Sequence, residues 1–249
     1  MKDRLIRHAT MHLRVNELTF LVDPVLSPAG SRPAIFNTPN QRANPLVELP
    51  LQTDELFNVH GILITHTHGD HLDEMAMTLL DKDLPIFCQP ADTDKLIAAK
   101  FGNVISVEKS VVWKGVKIIR TSGRHGSWLL AKILGPVSGF VLQADHEPIT
   151  YITGDTIWCP QVESALNNYK PEVIIAYSGA ARINYGNPIT MDTSDLYQVC
   201  TKAPQAKVVA VHLEAYNHCL LTRNQLREFI NDNQLTNLLV PNDGETICF

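Results

Sequence analysis

Apolar positions along this chain change their period in blocks, and the blocks predict the elements. Residues 11–15 and 18–22 alternate around Asn16-Glu17 and predict a hairpin ending at Asp23-Pro24. A Pro- and Asn-rich connection follows from Val25 to about Pro50, and a loop of that length in a compact domain is often functional. The pattern then predicts a strand over 61–65, a helix over 72–81, a strand over 85–88 and a helix over 91–100 closed by Gly102. Five or six strand-like runs occupy 104–153. The second half predicts helix 160–168, strand 173–177, helix 192–202, strand 207–211 and helix 222–231. A final hairpin is expected to turn at Asn242-Asp243-Gly244. Two β-sheets flanked by helices satisfy this order.

The apolar run Gly61-Ile62-Leu63-Ile64 leads directly into Thr65-His66-Thr67-His68-Gly69-Asp70-His71. A buried strand therefore ends in four side chains able to bind a metal. Desolvating them together is costly unless a cation neutralises the carboxylate and takes the imidazole lone pairs. If the strand period of two persists past Ile64, His66 and His68 point the same way and bind one ion as a pair. Asp70 and His71 come after Gly69 and face a neighbouring position, so the spacing suggests two metals.

With this motif the chain resembles the metallo-β-lactamase superfamily, whose signature is T-H-x-H-x-D-H at the end of a strand. The resemblance implies an αββα four-layer sandwich with the metals at the shared edge of two similar halves. It also implies further ligands after later strands. His125 in Ser122-Gly123-Arg124-His125-Gly126, Asp155 in Thr153-Gly154-Asp155-Thr156 and His212 after the run 207–211 occupy that context. Carried over by position, the resemblance places His66, His68 and His125 on the first metal and Asp70, His71 and His212 on the second, with Asp155 bridging. His8, His12, His60 and His146 lie outside the pattern and are read as structural or solvent-exposed. His218 continues the loop from His212 and is close enough in sequence to reach the pocket.

At 249 residues and 45% hydrophobic, the chain can bury a substantial core, and 1–249 is read as one metallo-β-lactamase-like domain. A net charge of -5 argues against an extended nucleic-acid surface. No apolar stretch is long enough to span a membrane, and the first residues, Met1-Lys2-Asp3-Arg4, lack an apolar signal core. Five cysteines with no C-x-x-C pair fit a reducing cytoplasm better than a disulfide framework. The expected partner is a small-molecule substrate, and homo-oligomerisation is left open.

Two metals held by histidine and carboxylate generate hydroxide at neutral pH and polarise an electrophile, so hydrolysis is the expected chemistry, with zinc or manganese as the cofactor pair. The short motifs Leu21-Val22-Asp23-Pro24 and Thr153-Gly154-Asp155-Thr156 are similar to those of the branch with L-ascorbate-6-phosphate lactonase and N-acyl-phosphatidylethanolamine phospholipase D. The expected substrate is a small, anionic ester, lactone or phosphodiester. Asp70 is assigned to orient the hydroxide, and His218 is a second catalytic candidate. Arg182, with Asn184 and Tyr185, lies in a Gly-containing segment after the run 173–176, and its planar fork suits a carboxylate or phosphate. The alternative from a different class is a non-hydrolytic metal protein, either a mononuclear iron oxygenase-like enzyme or a metabolite-binding sensor.

Overall fold

Fourteen strands pair into two mixed sheets in the computed structural model of the protein, which describes residues 2–51 and 53–249. The first part comprises β1 (Lys2–Arg7), β2 (Thr10–Val15), β3 (Leu18–Val22), α1 (Thr53–Leu56), β4 (Gly61–Ile64), α2 (Glu74–Leu79) and β5 (Ile86–Cys88). Next come α3 (Thr93–Ala98), entered through a 3-10 turn at Pro90–Asp92, then β6 (Val104–Ser106), β7 (Ser110–Trp113), β8 (Val116–Ser122), α4 (Trp128–Leu134), β9 (Ser138–Gln143) and β10 (Thr150–Ile152). The chain ends with α5 (Pro160–Tyr169), β11 (Val173–Tyr177), α6 (Thr193–Lys202), β12 (Lys207–Val211), α7 (Arg223–Asn233), β13 (Leu238–Leu239) and β14 (Thr246–Cys248). The sheet orders are β14-β1-β2-β3-β4-β5-β6 and β13-β12-β11-β10-β9-β8-β7. Each sheet is antiparallel on one side and parallel on the other.

Side-chain alternation explains the layering. Phe20, Val22, Leu63 and Phe87 of the first sheet share one core with Ile118, Phe140, Ile175 and Val209 of the second. The intervening residues Leu21, Ile62, Ile64 and Ile86 pack on Ala76 of α2 and Leu96 of α3. Tyr151, Ile174, Val208 and Ala210 pack on Val162, Leu196, Val199 and Leu226 from α5, α6 and α7. Strands buried on both faces read as continuous apolar runs, as they do here. The result is the αββα sandwich. No helix among the described residues is long and apolar enough to cross a membrane.

Several elements depart from the sequence expectation. The segment before the hairpin is a strand, β1, whose buried residues include Asp3 and Arg7. Helix α2 starts at Glu74 because Asp73 is its N-cap, taking Ala76 N–H on Oδ1 and the Leu26 and Ser27 N–H groups on Oδ2. The left-handed stop after α3 falls on Lys100, φ 69°, while Gly102 donates to the Lys82 carbonyl. Helix α4 lies where only strands were expected. Its Leu130 and Leu134, four residues apart, share one face, and Ser127 caps its start. The terminal hairpin does not form: β13 joins β12 in one sheet and β14 joins β1 in the other. The turn at Asn242-Asp243-Gly244 therefore carries the chain between sheets.

The connection from 25 to 50 contains no strand or helix beyond a single bridge, Arg32 to Asn44, yet it is firmly tied down. Arg7, fully buried, donates to the carbonyls of Val25, Ser27 and Val47. Asn217, also fully buried, exchanges hydrogen bonds with Asn44, Ile35, Thr38 and Asn40. The long loop is thus clamped to the loop carrying His212 and His218.

Candidate metal centre

Strand direction decides which residues meet. β1 is antiparallel to β2 and β2 to β3, while β3 and β4 are parallel, so β1, β3 and β4 all end at one edge. By the same reasoning β8, β10, β11 and β12 end together in the second sheet. The residues that follow these ends are His8, Asp23, His66 to His71, His125, Asp155 and His212. The carboxyl edge of such sheets is where ligands bind, because the loops there converge.

In His66, His68, His71, His125 and His212 the outer ring nitrogen is held, which orients the inner one. His66 Nδ1 lies 3.1 Å from Thr65 Oγ1, whose own proton goes to Asp23 Oδ2 at 2.6 Å. His68 Nε2 donates to the Leu134 carbonyl at 2.9 Å, an orphan acceptor at the end of α4. His125 Nδ1 donates to the Ile189 carbonyl at 2.9 Å, and His71 Nδ1 donates to Asp23 Oδ2 at 2.9 Å. His212 Nδ1 lies 3.4 Å from the Cys219 sulfur. Carboxylate and carbonyl partners of this kind fix tautomer and ring plane at metal sites. Asp23 also accepts from the Tyr177 hydroxyl at 2.8 Å.

The inner atoms converge. His66 Nε2 and His68 Nδ1 are 3.0 Å apart, and His71 Nε2 and His212 Nε2 are 3.2 Å apart. Asp155 Oδ2 lies 3.3 Å from His71, 3.7 Å from His125 and 3.9 Å from His66, while its Oδ1 lies 3.3 Å from His212. Asp70 Oδ2 lies 3.7 Å from His212 and 3.8 Å from His71. Zinc to nitrogen bonds of about 2.1 Å imply tetrahedral edges of about 3.4 Å, close to these spacings. Buried Asp155 Oδ1 has no hydrogen-bond partner in the protein. Nitrogens aimed at nitrogens around an idle carboxylate oxygen fit a cation. Among the described residues three groups can hold one: His66, His68 and His125; His66, His71 and Asp155; and His8, Asp70, His71 and His212.

In the metal-free protein protons take over part of that charge. Burial works to lower the histidines and raise the carboxylates, but their mutual attraction prevails at the centre. Asp70 and Asp155 are held well below the usual carboxylate range, and His71 is driven well above its ordinary value by Asp155 and Asp70. His212 is raised to about 9, with Asp155 overcoming burial. His66 and His125 are lowered, burial prevailing there. Because the folded value of His212 exceeds its unfolded one, its contribution to stability is complete below about pH 6.5 and lost as pH rises through about 9. A metal must displace this proton. Metal uptake near pH 7.5 is therefore expected to release protons, with apparent affinity rising with pH as His212 and His71 give theirs up. Calorimetry in buffers of different ionisation enthalpy reads the release, and a buffer-independent heat at pH 7.5 would contradict it.

His218 joins this edge, its Nε2 3.3 Å from Asp70 Oδ2. Of the two sequence readings of His8, structural or solvent-exposed, burial excludes the second: it is fully buried with Nε2 3.6 Å from Asp70 Oδ2. The signal that finds it is β1: once that strand is recognised, His8 follows a strand end as the other site residues do. Cys219 and Tyr177 behind the ligand-capable residues, and Arg32, carry no motif of their own, while Asp23 lies in the motif Leu21-Val22-Asp23-Pro24 without being read from it as a site residue. Arg32 NH1 donates to the Gly69 carbonyl, and a side chain at Gly69 would collide with that guanidinium. With Pro33, Ala34, Ile35, Gly69, Asp70 and Tyr216 it lines a cavity of about 210 Å3 beside Asp70. Arg182 turns its guanidinium onto the Gly186 carbonyl of its own loop, while its N–H donates to the His218 carbonyl. Asn184 binds Asn37, and Tyr185 is exposed. His12 bonds the Leu56 carbonyl, His60 accepts Thr19 N–H, and His146 is exposed.

Comparison with known proteins agrees with this geometry. The family described as the beta-lactamase superfamily domain matches residues 19–213. The UPF0173 protein YddR of Bacillus subtilis is 35% identical over 98% of both chains. A possible metal-dependent hydrolase from Veillonella parvula superposes with a TM-score of 0.97 at 37% identity, covering 100% of this chain and 99% of that one. An isothiocyanate hydrolase from Delia radicum gut bacteria superposes with a TM-score of 0.96 at 34% identity, with 100% and 99% covered. The chain thus belongs to the metallo-β-lactamase superfamily, within the UPF0173 family of metal-dependent hydrolases.

Proposed function

We propose that this protein hydrolyses a small, largely apolar electrophile of the isothiocyanate type, using two divalent cations, zinc or manganese. The observation that carries the reading is the joining of the His/Asp cluster to the cavity of about 210 Å3, whose apolar wall is Pro33, Ala34, Ile35 and the Tyr216 ring, facing Arg32, Asn44, Gly69 and Asp70. The likeness to an isothiocyanate hydrolase over the whole chain supports the substrate class. His66, His68 and His125 would hold one cation, Asp70, His71 and His212 the other, and Asp155 both. Bound there, the cations supply hydroxide at neutral pH and polarise the substrate.

The chain's own residues do the rest. Asp70 orients the attacking oxygen toward the cavity, and His218, 3.3 Å from it, moves the proton on. Arg32 presents its remaining N–H groups to the terminal heteroatom of the bound substrate and anchors it. Water adds to the central carbon of R–N=C=S, and the resulting thiocarbamic acid separates into the amine R–NH2 and carbonyl sulfide, which balances the reaction. The arginine at the cavity also supports a second reading, hydrolysis of a small anionic ester, lactone or phosphodiester, as the lactonase-branch resemblance implies.

A panel of aryl and alkyl isothiocyanates, lactones and phosphodiesters, assayed on zinc- and manganese-loaded protein, separates these readings. Amine release from isothiocyanates is expected, and turnover confined to lactones or phosphodiesters would favour the second. No turnover of any member, with oxygen consumption by iron-loaded protein, would sink the hydrolytic proposal. Arg32→Ala should raise KM about 10- to 100-fold with metal content intact, the magnitude of a lost charged hydrogen bond. The same assay on Arg182→Ala tells the two arginines apart: the one that anchors the substrate is the one whose loss raises KM.

A further inference from the structure

His8 occupies the turn between β1 and β2 with a left-handed backbone, φ 63°. Outside glycine that conformation persists where its surroundings over-determine it. The His8 carbonyl accepts the His212 N–H at 2.8 Å, tying the end of β1 to the residue after β12. Its ring lies on His212 with centroids 3.7 Å apart, and on Tyr216 at 4.7 Å. It is fully buried, and neither ring nitrogen has a hydrogen-bond partner. An apolar side chain would fill the same space without two idle polar atoms, so packing alone does not account for a histidine here. Asp70 Oδ2 lies 3.6 Å from its Nε2, and the ligand-capable atoms of His8, Asp70, His71 and His212 all lie within 4.8 Å of one another.

We propose that His8 is a protein ligand of the cation held by Asp70, His71 and His212. The proposal rests on the metal-dependent reading above and divides labour within it. Apart from the shared Asp155, this position has four protein donors, all buried, whereas the His66, His68 and His125 position has three, with His68 only half-buried. Each added protein donor takes a coordination place that water would otherwise occupy and tightens the site. The His8 position, with one donor more, therefore fills first and exchanges more slowly, and the other fills second.

The test titrates metal-free protein with Co2+, followed by visible absorption and calorimetry. Wild type is compared with His8→Ala and with His8→Asn, which tolerates the left-handed backbone. Two steps are expected in wild type. Loss of His8 should weaken the tighter step by more than about 100-fold, beyond what an outer-sphere partner costs, and leave the weaker step within about threefold. Folded variants that keep both steps, or lose only the weaker one, would overturn the proposal. If neither variant folds, X-ray absorption of the double variant His68→Ala with His125→Ala, which leaves the His8 position as the complete one, decides with one equivalent of Co2+: three imidazoles support the role of His8, and two refute it. Wild type that takes up no Co2+ would instead defeat the metal-dependent reading itself.

Discussion

Asp155→Ala is expected to lose metal and activity together. Its carboxylate faces His66, His71, His125 and His212 at 3.3 to 3.9 Å, so no other single residue touches both halves of the cluster so fully. Loss of an outer-sphere partner alone costs about 10- to 100-fold in metal affinity, and loss of a shared ligand should exceed that. Removing its charge also leaves His71 and His212 facing each other at 3.2 Å without their principal counter-charge, so both should lose their protons at lower pH in the metal-free state. Asp155→Asn keeps the shape without the charge and should fall between. His146→Ala, an exposed turn residue, is the control and should leave both metal content and rate unchanged. Mass-spectrometric metal analysis beside the rate decides. Retention of full metal content by Asp155→Ala would exclude the bridging role.

The second large effect is expected at a residue that touches no metal. Asp23, fully buried, accepts from Thr65 N at 2.8 Å, Thr65 Oγ1 at 2.6 Å, His71 Nδ1 at 2.9 Å and Tyr177 OH at 2.8 Å. Through Thr65 it also sets the tautomer of His66. Asp23→Ala strands four donors in a dry interior. Breaking a buried charged network of this kind costs about 3 to 5 kcal/mol, a large share of the roughly 5 to 15 kcal/mol that stabilises a domain. The melting temperature should fall by about 10 °C or more, and affinity for the His71 cation by about 10- to 100-fold. Thermal melts of the metal-free protein, with a metal titration alongside, read the two effects separately. A melting temperature within a degree or two of wild type would mean the network does not bind the two sheets as described.

The local rules of chain geometry made much of this protein legible in one dimension. Strands over 173–177 and 207–211 are read from their apolar runs alone, because strands covered on both faces have no polar positions to interrupt them. The cluster from His66 to His71 is equally plain, since its residues are neighbours along the chain. His125, Asp155 and His212 come from the family resemblance, each just past a strand that the pattern marks, and the fold brings them to the same edge. What the chain order does not carry is any relation that depends on which strand lies beside which. β13 and β14 look like a hairpin until pairing sends them to different sheets, because two short strands with a turn between them satisfy either arrangement locally. α4 is hidden because its exposed Trp128, Leu129 and Ile133 mask the helical face formed by Leu130 and Leu134. His8, Asp23 and Arg32 are separated from their partners by tens to hundreds of residues. Their environment, burial beside carboxylates and imidazoles or at the wall of the cavity, exists only after the two sheets close on each other. Pattern along a chain encodes what each segment buries, and the packing of distant segments decides what each buried polar atom meets.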